Sequence, residues 1–389
     1  MNVIIAMDSF KGCASSLELS SAITQGIRTV YQDATIKAYE IADGGEGTLQ
    51  AMVHNTEGEL ITCKVHDPLM HLIEAQYGIL GDGVTAVIEM AQASGLPLVP
   101  VDKRNPLYTT TFGVGELIAH ALERGCREFI VGIGGSATND GGVGMLQALG
   151  YRFLDKEGNN IAYGGGALGD IVRIETEHAH PALKKSTFTI ACDVDNPMYG
   201  ERGAAFIYGP QKGATPEAVL KLDANIKHFA SCINEQLGRD IAYIPGSGAA
   251  GALGGGFLGF FTASLRSGID IVLDSIQFDT ALKNADIVIT GEGKVDAQSL
   301  MGKVISGIAK RCTQANVPLI VLAGEIDASA LRSHEHGVSA LFSIMHGPMS
   351  LEDAMHTKTA LRLATQKTEE LFWLIRVATR FNEKRSTRF

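Results

Sequence analysis

The chain has 389 residues, 45% of them hydrophobic and 20% charged, with 45 glycines and a formal net charge of −10. This size and composition predict two or three domains with a substantial core. The acidic balance argues against a nucleic-acid partner, since phosphate backbones attract basic surfaces, and no apolar stretch reaches the ~18 residues of a membrane-spanning helix. We therefore expect small-molecule partners and neither nucleic acid nor membrane, while a homo-oligomer is compatible with the sequence.

The six cysteines predict a reducing environment rather than a metal–thiolate site. They stand at positions 13, 63, 126, 192, 232 and 312, without a CxxC pair or zinc-like spacing to histidine. The opening run MNVIIAMDSFKG lacks the basic region of a signal peptide and is typical of a first β-strand. Both observations predict a cytoplasmic location.

The N-terminal elements alternate strand and helix. The apolar run NVIIAMD predicts a strand buried on both faces. A helix follows, capped by Ser15 or Ser16, with Glu18 in its first turn. The segment IKAYEIADGGEGT repeats this plan, with a second helix over 48–54. Such a beginning predicts a parallel sheet with helices outside it.

The middle of the chain has a different pattern. Between about residues 60 and 90 the sequence alternates polar and apolar residues and is interrupted by Asp-Pro and Gly-Asp-Gly, which predicts antiparallel strands. The elements predicted after it are a helix over 111–124, a strand over 128–134, a hairpin over 152–161, a strand over 187–197 and a helix over 216–237.

The C-terminal third returns to the first pattern. We predict buried strands over 285–293, 317–327 and 339–347 and helices over 299–314 and 351–377. The fold class is therefore two-domain α/β, with a Rossmann-like parallel-sheet domain interrupted by an inserted mixed α/β domain. The predicted domains are 1–61 with 276–378, 62–275, and a basic tail over 379–389. A cleft between the two domains is the expected active site.

The glycine-rich stretch VGIGGSATNDGGVGM (131–145) has more than one interpretation. A Walker A sequence is absent from the chain. The run Gly132–Ala137 matches a loose dinucleotide-binding pattern, and Gly246–Gly251 matches it again but follows Pro245, which is poorly suited to a buried strand. A nicotinamide-dependent oxidoreductase therefore stays open as an alternative.

Acidic residues recur in glycine-rich turns, most of them after predicted buried strands. One such residue is usually a turn former, but several converging carboxylates suit phosphoryl transfer to a hydroxyl, in which some hold Mg²⁺ and one accepts the proton. Lys11, in DSFKG, would supply a positive charge for a phosphate or carboxylate. The acidic residues are Asp8, Asp43 with Glu46, Asp140, Asp193 with Asp195, and Glu292 with Asp296.

Six sequence blocks in order resemble the bacterial glycerate kinases of the glycerate 2-kinase type. The blocks are MDSFKG, ADGGEGT, GIGGSATNDGG, ACDVDNP…GPQKGA, PGSGAAGALGGG and TGEGKVDAQS, spread between residues 7 and 299. The resemblance implies ATP-dependent phosphorylation of D-glycerate with Mg²⁺, in cytoplasmic glyoxylate or sugar-acid catabolism. It further implies 2-phosphoglycerate as the product, with 3-phosphoglycerate as the alternative, and a two-domain α/β fold.

Roles follow for residues within these blocks. We predict Asp195 as the general base, Asp193 as its competitor, and Lys11 as a third catalytic residue. The predicted substrate-binding residues are Asp8, Ser9, Asp43, Ser136, Asn139 and Asp140; the nucleotide-binding residues are Gly246, Ser247, Gly248, Glu292 and Gly293; and the Mg²⁺ ligands are Glu292 and Asp296. A non-catalytic binding protein with a hinged cleft is a further alternative, although binding an anion alone requires no such set of carboxylates.

Overall fold

The structure is a computed structural model, which describes residues 1–42, 44–45, 47–297, 299 and 303–386. The strands are β1 (Asn2–Met7), β2 (Thr35–Glu40), β3 (Glu59–His66), β4 (Leu72–Ile79), β5 (Thr85–Glu89), β6 (Glu128–Gly132), β7 (Arg152–Leu154), β8 (Arg173–Glu175), β9 (Thr187–Ala191), β10 (Thr262–Arg266), β11 (Ile287–Val295), β12 (Leu319–Ile326) and β13 (Ala340–Ser343). The helices are α1 (Ser16–Val30), α2 (Thr48–Asn55), α3 (Ala91–Ser94), α4 (Phe112–Glu123), α5 (Val143–Ala148), α6 (Ala204–Tyr208), α7 (Pro216–Leu237), α8 (Ala249–Phe260), α9 (Gly268–Ser275), α10 (Phe278–Leu282), α11 (Val304–Ala315), α12 (Leu351–Met355) and α13 (Thr357–Ser386).

The chain divides into two compact units. The first unit contains residues 1–43 and 272–389, and the second contains residues 44–271. The sequence placed these boundaries after residues 61 and 275. The first boundary differs because α2 packs on β3, β4 and β5, in the second unit.

The first unit is built on a five-stranded sheet in which all neighbouring strands are parallel, in the order β13-β12-β11-β1-β2. Strand β1, which lies between β11 and β2, is buried from Val3 to Met7. Ser15 caps α1, and Glu18 accepts a hydrogen bond from the Ser15 amide in return. α1 packs on α13 so closely that a Cβ at Gly26 would lie 2.5 Å from the Thr365 carbonyl oxygen. A glycine is therefore required at this crossing.

The second unit is built on a six-stranded mixed sheet in the order β10-β9-β6-β5-β4-β3. Strands β10, β9, β6 and β5 are parallel to one another, and β4 and β3 continue the sheet antiparallel, as the alternating pattern predicts. A stack of phenylalanine rings fills its core: the ring centroid of Phe188 lies 4.7 Å from that of Phe129 and 4.6 Å from that of Phe261. The predicted two-domain α/β fold class, with one parallel and one mixed sheet, is confirmed.

Several predicted elements differ in detail. The hairpin expected over 152–161 is limited to a turn and one antiparallel bridge between Leu154 and Asn160, and the strand partner of β7 is β8. Asp155 Oδ1 caps that turn by accepting from the amides of Glu157 and Asn159. The helix expected over 299–314 begins at Val304. The helix expected over 351–377 is divided at His356, and α13 extends to Ser386, well into the predicted tail.

Within the part of the chain that the structure describes, no helix combines the length and the apolar character needed to cross a bilayer.

Candidate active site

Two parallel strands of the first unit bring predicted site residues together. β1 and β11 pair in register, with Met7 opposite Gly291. Asp8 follows β1, and its amide donates to the Gly291 carbonyl oxygen over 3.0 Å. Ser9 donates its amide to Asp8 Oδ1 over 2.7 Å. Asp8 and Ser9 therefore lie next to the carboxyl half of β11, at the sheet edge where open α/β folds bind ligands.

Glu292 projects from β11 into this region with one oxygen unused. Its Oε1 is buried and has no hydrogen-bond partner among the described residues. Burial raises the pKa of Glu292 above its ordinary value, and the carboxylates of Asp8 and Asp296 act in the same direction, whereas Ser299 and Lys303 act against them. A buried oxygen without a partner is costly, so Glu292 is suited to meeting a cation or a donor on a ligand.

A cavity of about 560 Å³ lies at the same edge of the first unit. Its charged and polar wall includes Ser9, Lys11 and Glu292. The segment after β13 and α12 contribute apolar side chains to the lining, namely Ile344, Met345, Met349, Leu351 and Met355. A cavity of this size with one apolar and one charged side is suited to a small ligand that carries both characters.

The predicted Mg²⁺ ligands, Glu292 and Asp296, lie near this cavity on and just after β11. Among the described residues, no three His, Cys, Asp or Glu side chains are grouped so that they could hold a metal ion. The unpartnered Glu292 oxygen nevertheless fits one ligand position. Mg²⁺ at phosphoryl-transfer sites takes one or two carboxylates and completes its shell with phosphate oxygens and water, so a complete cage of protein ligands is not required. The assignment of Mg²⁺ to Glu292 and Asp296 stays a prediction.

The loop Gly134–Asp140 of the second unit joins β6 to the turn before α5 and is attached on several sides. The Ala137 amide donates to the Ser94 carbonyl oxygen over 2.9 Å. The Ala137 carbonyl oxygen accepts from Thr109 Oγ1 over 2.8 Å. Just after the loop, the Gly141 amide donates to the Gly251 carbonyl oxygen over 3.0 Å. These bonds fix the path of the backbone.

Asp140 completes this arrangement from inside the protein. The side chain is 1% exposed. Its Oδ2 accepts from the amide and hydroxyl of Thr111, each over 2.8 Å, and its oxygens also accept from the amides of Gly142 and Gly144. Burial raises the pKa of Asp140, while these donors oppose the rise. Since its oxygens accept these internal donors, Asp140 holds the loop in place. Its predicted contact with substrate stays a prediction.

The other two predicted residues of the loop, Ser136 and Asn139, are also buried. The side-chain oxygen and nitrogen of Asn139 are both buried and have no hydrogen-bond partner among the described residues. Ser136 Oγ accepts from Lys212 Nζ over 2.6 Å, and Lys212 Nζ donates also to the Thr138 carbonyl oxygen over 2.7 Å. Burial lowers the pKa of Lys212 to about 7, although the Asp140 carboxylate acts in the opposite direction.

The predicted bases lie after β9 and are exposed. The Asp195 side chain is 74% exposed, and both of its oxygens accept from Arg202 Nη2 over 3.2 Å. Asp193 Oδ1 accepts from the Gly268 amide over 3.1 Å. Asp195 is thus accessible to an incoming hydroxyl, provided that the Arg202 pair opens or shares its oxygens.

The predicted nucleotide loop Gly246–Gly248 lies in the second unit and uses its amides internally. The Ser247 amide donates to the Ile244 carbonyl oxygen and the Gly248 amide to the Asn196 carbonyl oxygen, each over 2.9 Å. These two amides are therefore not available to a phosphate. Glu292 and Gly293, which the sequence grouped with them, lie in the first unit.

The dinucleotide interpretation of Gly132–Ala137 fails for a similar reason. Such a site requires the first amides of the following helix to face the pyrophosphate. Here the Gly142 and Gly144 amides donate to the chain's own Asp140. Asp43 and Glu46, from the second glycine-rich turn, lie outside the described residues.

Sequence reasoning missed three partners of the site residues. Lys212 is inside the quoted block GPQKGA, between two glycines, and that position was a usable signal. Thr111 and Arg202 carried no comparable signal. Thr111 contacts Asp140, which is distant in the sequence, and Arg202 contacts Asp195 across a turn.

Comparison with known proteins shows extensive similarity. The sequence model described as "Glycerate kinase family" matches residues 3–375. A "Glycerate kinase" from Haemophilus influenzae is 49% identical over 88% of this chain and 90% of that protein. A "Glycerate kinase" from Halalkalibacterium halodurans is 48% identical over 87% of this chain and 90% of that protein. A "Glycerate 2-kinase" from Escherichia coli is 45% identical over 88% of this chain and 90% of that protein.

A solved structure agrees with these relatives. The crystal structure of a putative glycerate kinase 2 from Salmonella typhimurium superposes with a TM-score of 0.90 at 43% identity, covering 98% of this chain and 99% of that one. The match extends over both units and includes every block from which the site was built. The chain therefore belongs to the glycerate kinase family.

Proposed function

We propose that the protein transfers the γ-phosphoryl group of ATP to the 2-hydroxyl of D-glycerate, giving 2-phosphoglycerate and ADP. Membership of the glycerate kinase family makes it a phosphotransferase with an alcohol acceptor. The observation that carries the finer assignment is the 45% identity, over 88% of the chain, to the Escherichia coli protein named glycerate 2-kinase. The bond from Pγ to the bridging oxygen breaks, a bond from Pγ to the glycerate oxygen forms, and the hydroxyl proton passes to a base.

The nucleotide is assigned to the cavity of the first unit. The apolar residues Met345, Met349 and Met355 would contact the adenine ring, and Lys11 would bind phosphate oxygens on the charged side. Gly293 follows Glu292 on this wall. We place the nucleotide here rather than at Gly246–Gly248, because two of the three amides there already have partners.

Mg²⁺, when bound with ATP, would neutralise charge on the phosphates as the γ-phosphoryl group leaves. Glu292 would hold it through Oε1, which has no hydrogen-bond partner among the described residues, and Asp296 is the second proposed ligand. The protein itself contributes the buried carboxylate of Glu292, which lies beside the end of β1.

The acceptor requires an anion-binding group and a base. We assign Asp195 as the base that takes the hydroxyl proton, with Asp193 as its competitor. Glycerate also carries a carboxylate, for which the Ser136 hydroxyl is a suitable donor. Ser9, Asp8 and Asn139 keep their proposed substrate-binding roles.

We further assign the reaction to glyoxylate or sugar-acid catabolism in the cytoplasm. The six cysteines are all free thiols, which fits a reducing compartment.

The test is ATP consumption with D-glycerate and Mg²⁺, followed by enolase as the reader of the product. We expect enolase to convert the product directly to phosphoenolpyruvate, with L-glycerate as the matched substrate control. A product that feeds enolase only after a mutase is added would be 3-phosphoglycerate and would correct the position. Folded protein that consumes no ATP with glycerate would contradict the proposal.

A further inference from the structure

Lys212 is a lysine that the protein encloses almost completely. It ends the short turn Pro210–Lys212 and is 2% exposed. Gly213 follows with a φ of +90°, and a Cβ there would lie 2.2 Å from the Arg104 carbonyl oxygen, so the turn is held tightly. An enclosed ammonium is unfavourable unless it has partners. Its partners therefore indicate what it does.

Both hydrogen-bond acceptors of Lys212 are in the Gly134–Asp140 loop. Nζ donates to Ser136 Oγ over 2.6 Å and to the Thr138 carbonyl oxygen over 2.7 Å. The backbone bonds at Ala137 and Gly141 attach the loop elsewhere. Lys212 thus fixes the side of the loop that carries the Ser136 hydroxyl.

The bond to Ser136 also directs its hydroxyl hydrogen. A serine hydroxyl has two acceptor lone pairs and one hydrogen to donate. Because the Lys212 N–H occupies a lone pair, the hydrogen must point away from the lysine and stays available for a different acceptor. A carboxylate oxygen of the acceptor substrate is an acceptor of that kind, and when Lys212 is protonated its charge strengthens such a bond.

We propose that Lys212 is a positioning residue, which acts through Ser136 to hold and orient the hydroxyl that binds the carboxylate of the acceptor. The inference rests on the proposed function, since it takes a hydroxy acid as the acceptor. Lys212 itself does not touch the substrate. Its removal therefore weakens acceptor binding without changing nucleotide binding.

The kinetic test is a double-mutant cycle of Lys212→Met and Ser136→Ala. We expect Lys212→Met to raise KM for D-glycerate by about 10-fold or more and to leave KM for ATP within about 2-fold. In the Ser136→Ala background the same substitution has little further effect, because the group through which it acts is gone. The matched control is Lys221→Met, at an exposed lysine of α7 in the same unit.

An outcome in which the two effects multiply would overturn the proposal, as would an unchanged KM for D-glycerate in Lys212→Met. If Lys212→Met does not fold, Lys212→Gln keeps an N–H donor in the buried position and is assayed in its place. It is expected to raise KM in the same way but by a smaller factor.

Hydrogen exchange gives a readout independent of activity. In Lys212→Met the amides of Ala137 and Gly141 should exchange at least about 10-fold faster than in the wild type, while those of β1 stay unchanged. If exchange accelerates but the wild type does not use glycerate, the proposed function fails and the positioning role stands. If exchange is unchanged, Lys212 does not hold the loop and the positioning role fails.

Discussion

The two units each contain an acidic residue within glycine-rich sequence associated with a buried parallel strand, and the structure uses the two residues in opposite ways. Asp140 of the second unit accepts hydrogen bonds from Thr111, Gly142 and Gly144. Glu292 of the first unit keeps Oε1 buried without a partner among the described residues. Asp140 therefore organises its own loop, whereas Glu292 is presented to a ligand.

The difference comes from where each strand ends. β6 ends at Gly132, so the chain can turn and place the first amides of the segment leading into α5 against Asp140. β11 continues to Val295, and Glu292 lies within it, opposite Ala323 of β12. The backbone at Glu292 is held by the sheet, and the side chain cannot cap a helix that follows.

The largest expected difference between the units is in the free energy of unfolding when the charge of Asp140 or of Glu292 is removed. Asp140→Asn should lower the free energy of unfolding by about 2–4 kcal/mol, since an amide N–H would face donors instead of accepting from them. Glu292→Gln should change it by less than about 1 kcal/mol, because a neutral group of the same shape is no worse in a buried site. Chemical denaturation of the wild type and both variants measures these changes in the free energy of unfolding.

Catalytic activity should depend strongly on Glu292, although stability does not. Glu292→Gln should lower kcat by about 10²-fold at saturating ATP and raise the Mg²⁺ concentration required for half-maximal rate. Lys310→Met, at an exposed lysine of α11 in the same unit, is the control. A Glu292→Gln enzyme that is unstable but fully active per folded molecule would reverse the comparison.

The exposed carboxylates after β9 provide a second test. Asp195→Asn should lower kcat by about 10²-fold or more with little change in stability, since the side chain is exposed and its loss removes the proton acceptor. Asp193→Asn is the paired variant. Near-wild-type turnover in Asp195→Asn, together with a loss in Asp193→Asn, would move the base to Asp193.

The smallest expected effect concerns pH and Lys212. Its folded pKa of about 7 lies below the ordinary value of 10.5. Between these values the unfolded chain binds a proton that the folded chain lacks, so the free energy of unfolding rises with pH in this window, by up to about 1.4 kcal/mol per pH unit. Below pH 7 both states hold the proton and this contribution is flat.

The measurement is the difference in unfolding free energy between wild type and Lys212→Met from pH 6 to 8.5, which removes the titrations common to both. We expect it to shift in favour of the wild type by about 1–2 kcal/mol above pH 7. A difference that is flat over the whole range would mean that Asp140 keeps Lys212 charged in the folded protein.

Much of the fold could be predicted from the sequence, because it follows from local patterns. The apolar runs predicted β1, β11 and β12, and the Ser15–Glu18 pair predicted the start of α1. The partner of β7 could not be predicted, since it pairs with β8 across an intervening bridge to Asn160 and a turn. β10 was also missed, because its alternation of polar and apolar residues extends over only five positions, and so was the glycine-rich helix α8, which shows no clear periodicity.

The site was predictable in its residues more than in their roles. The sequence located Asp140 and Glu292 by the same signal, an acid beside glycine. Only the three-dimensional partners distinguish them, namely Thr111 from a distant segment for Asp140 and none among the described residues for the buried oxygen of Glu292. Lys212 acts on Ser136 from 76 positions further along the chain, a distance that no local pattern reports.

The proposed nucleotide site is the cavity of the first unit. The most direct measurement is photolabelling with an 8-azido derivative of ATP in the presence of Mg²⁺, followed by mapping of the labelled peptides. If the nucleotide binds there, the label falls within the segment 344–355, whose methionines line the cavity, and unmodified ATP removes it. A label on Gly246–Gly248 that ATP removes would instead place the nucleotide in the second unit and contradict this assignment.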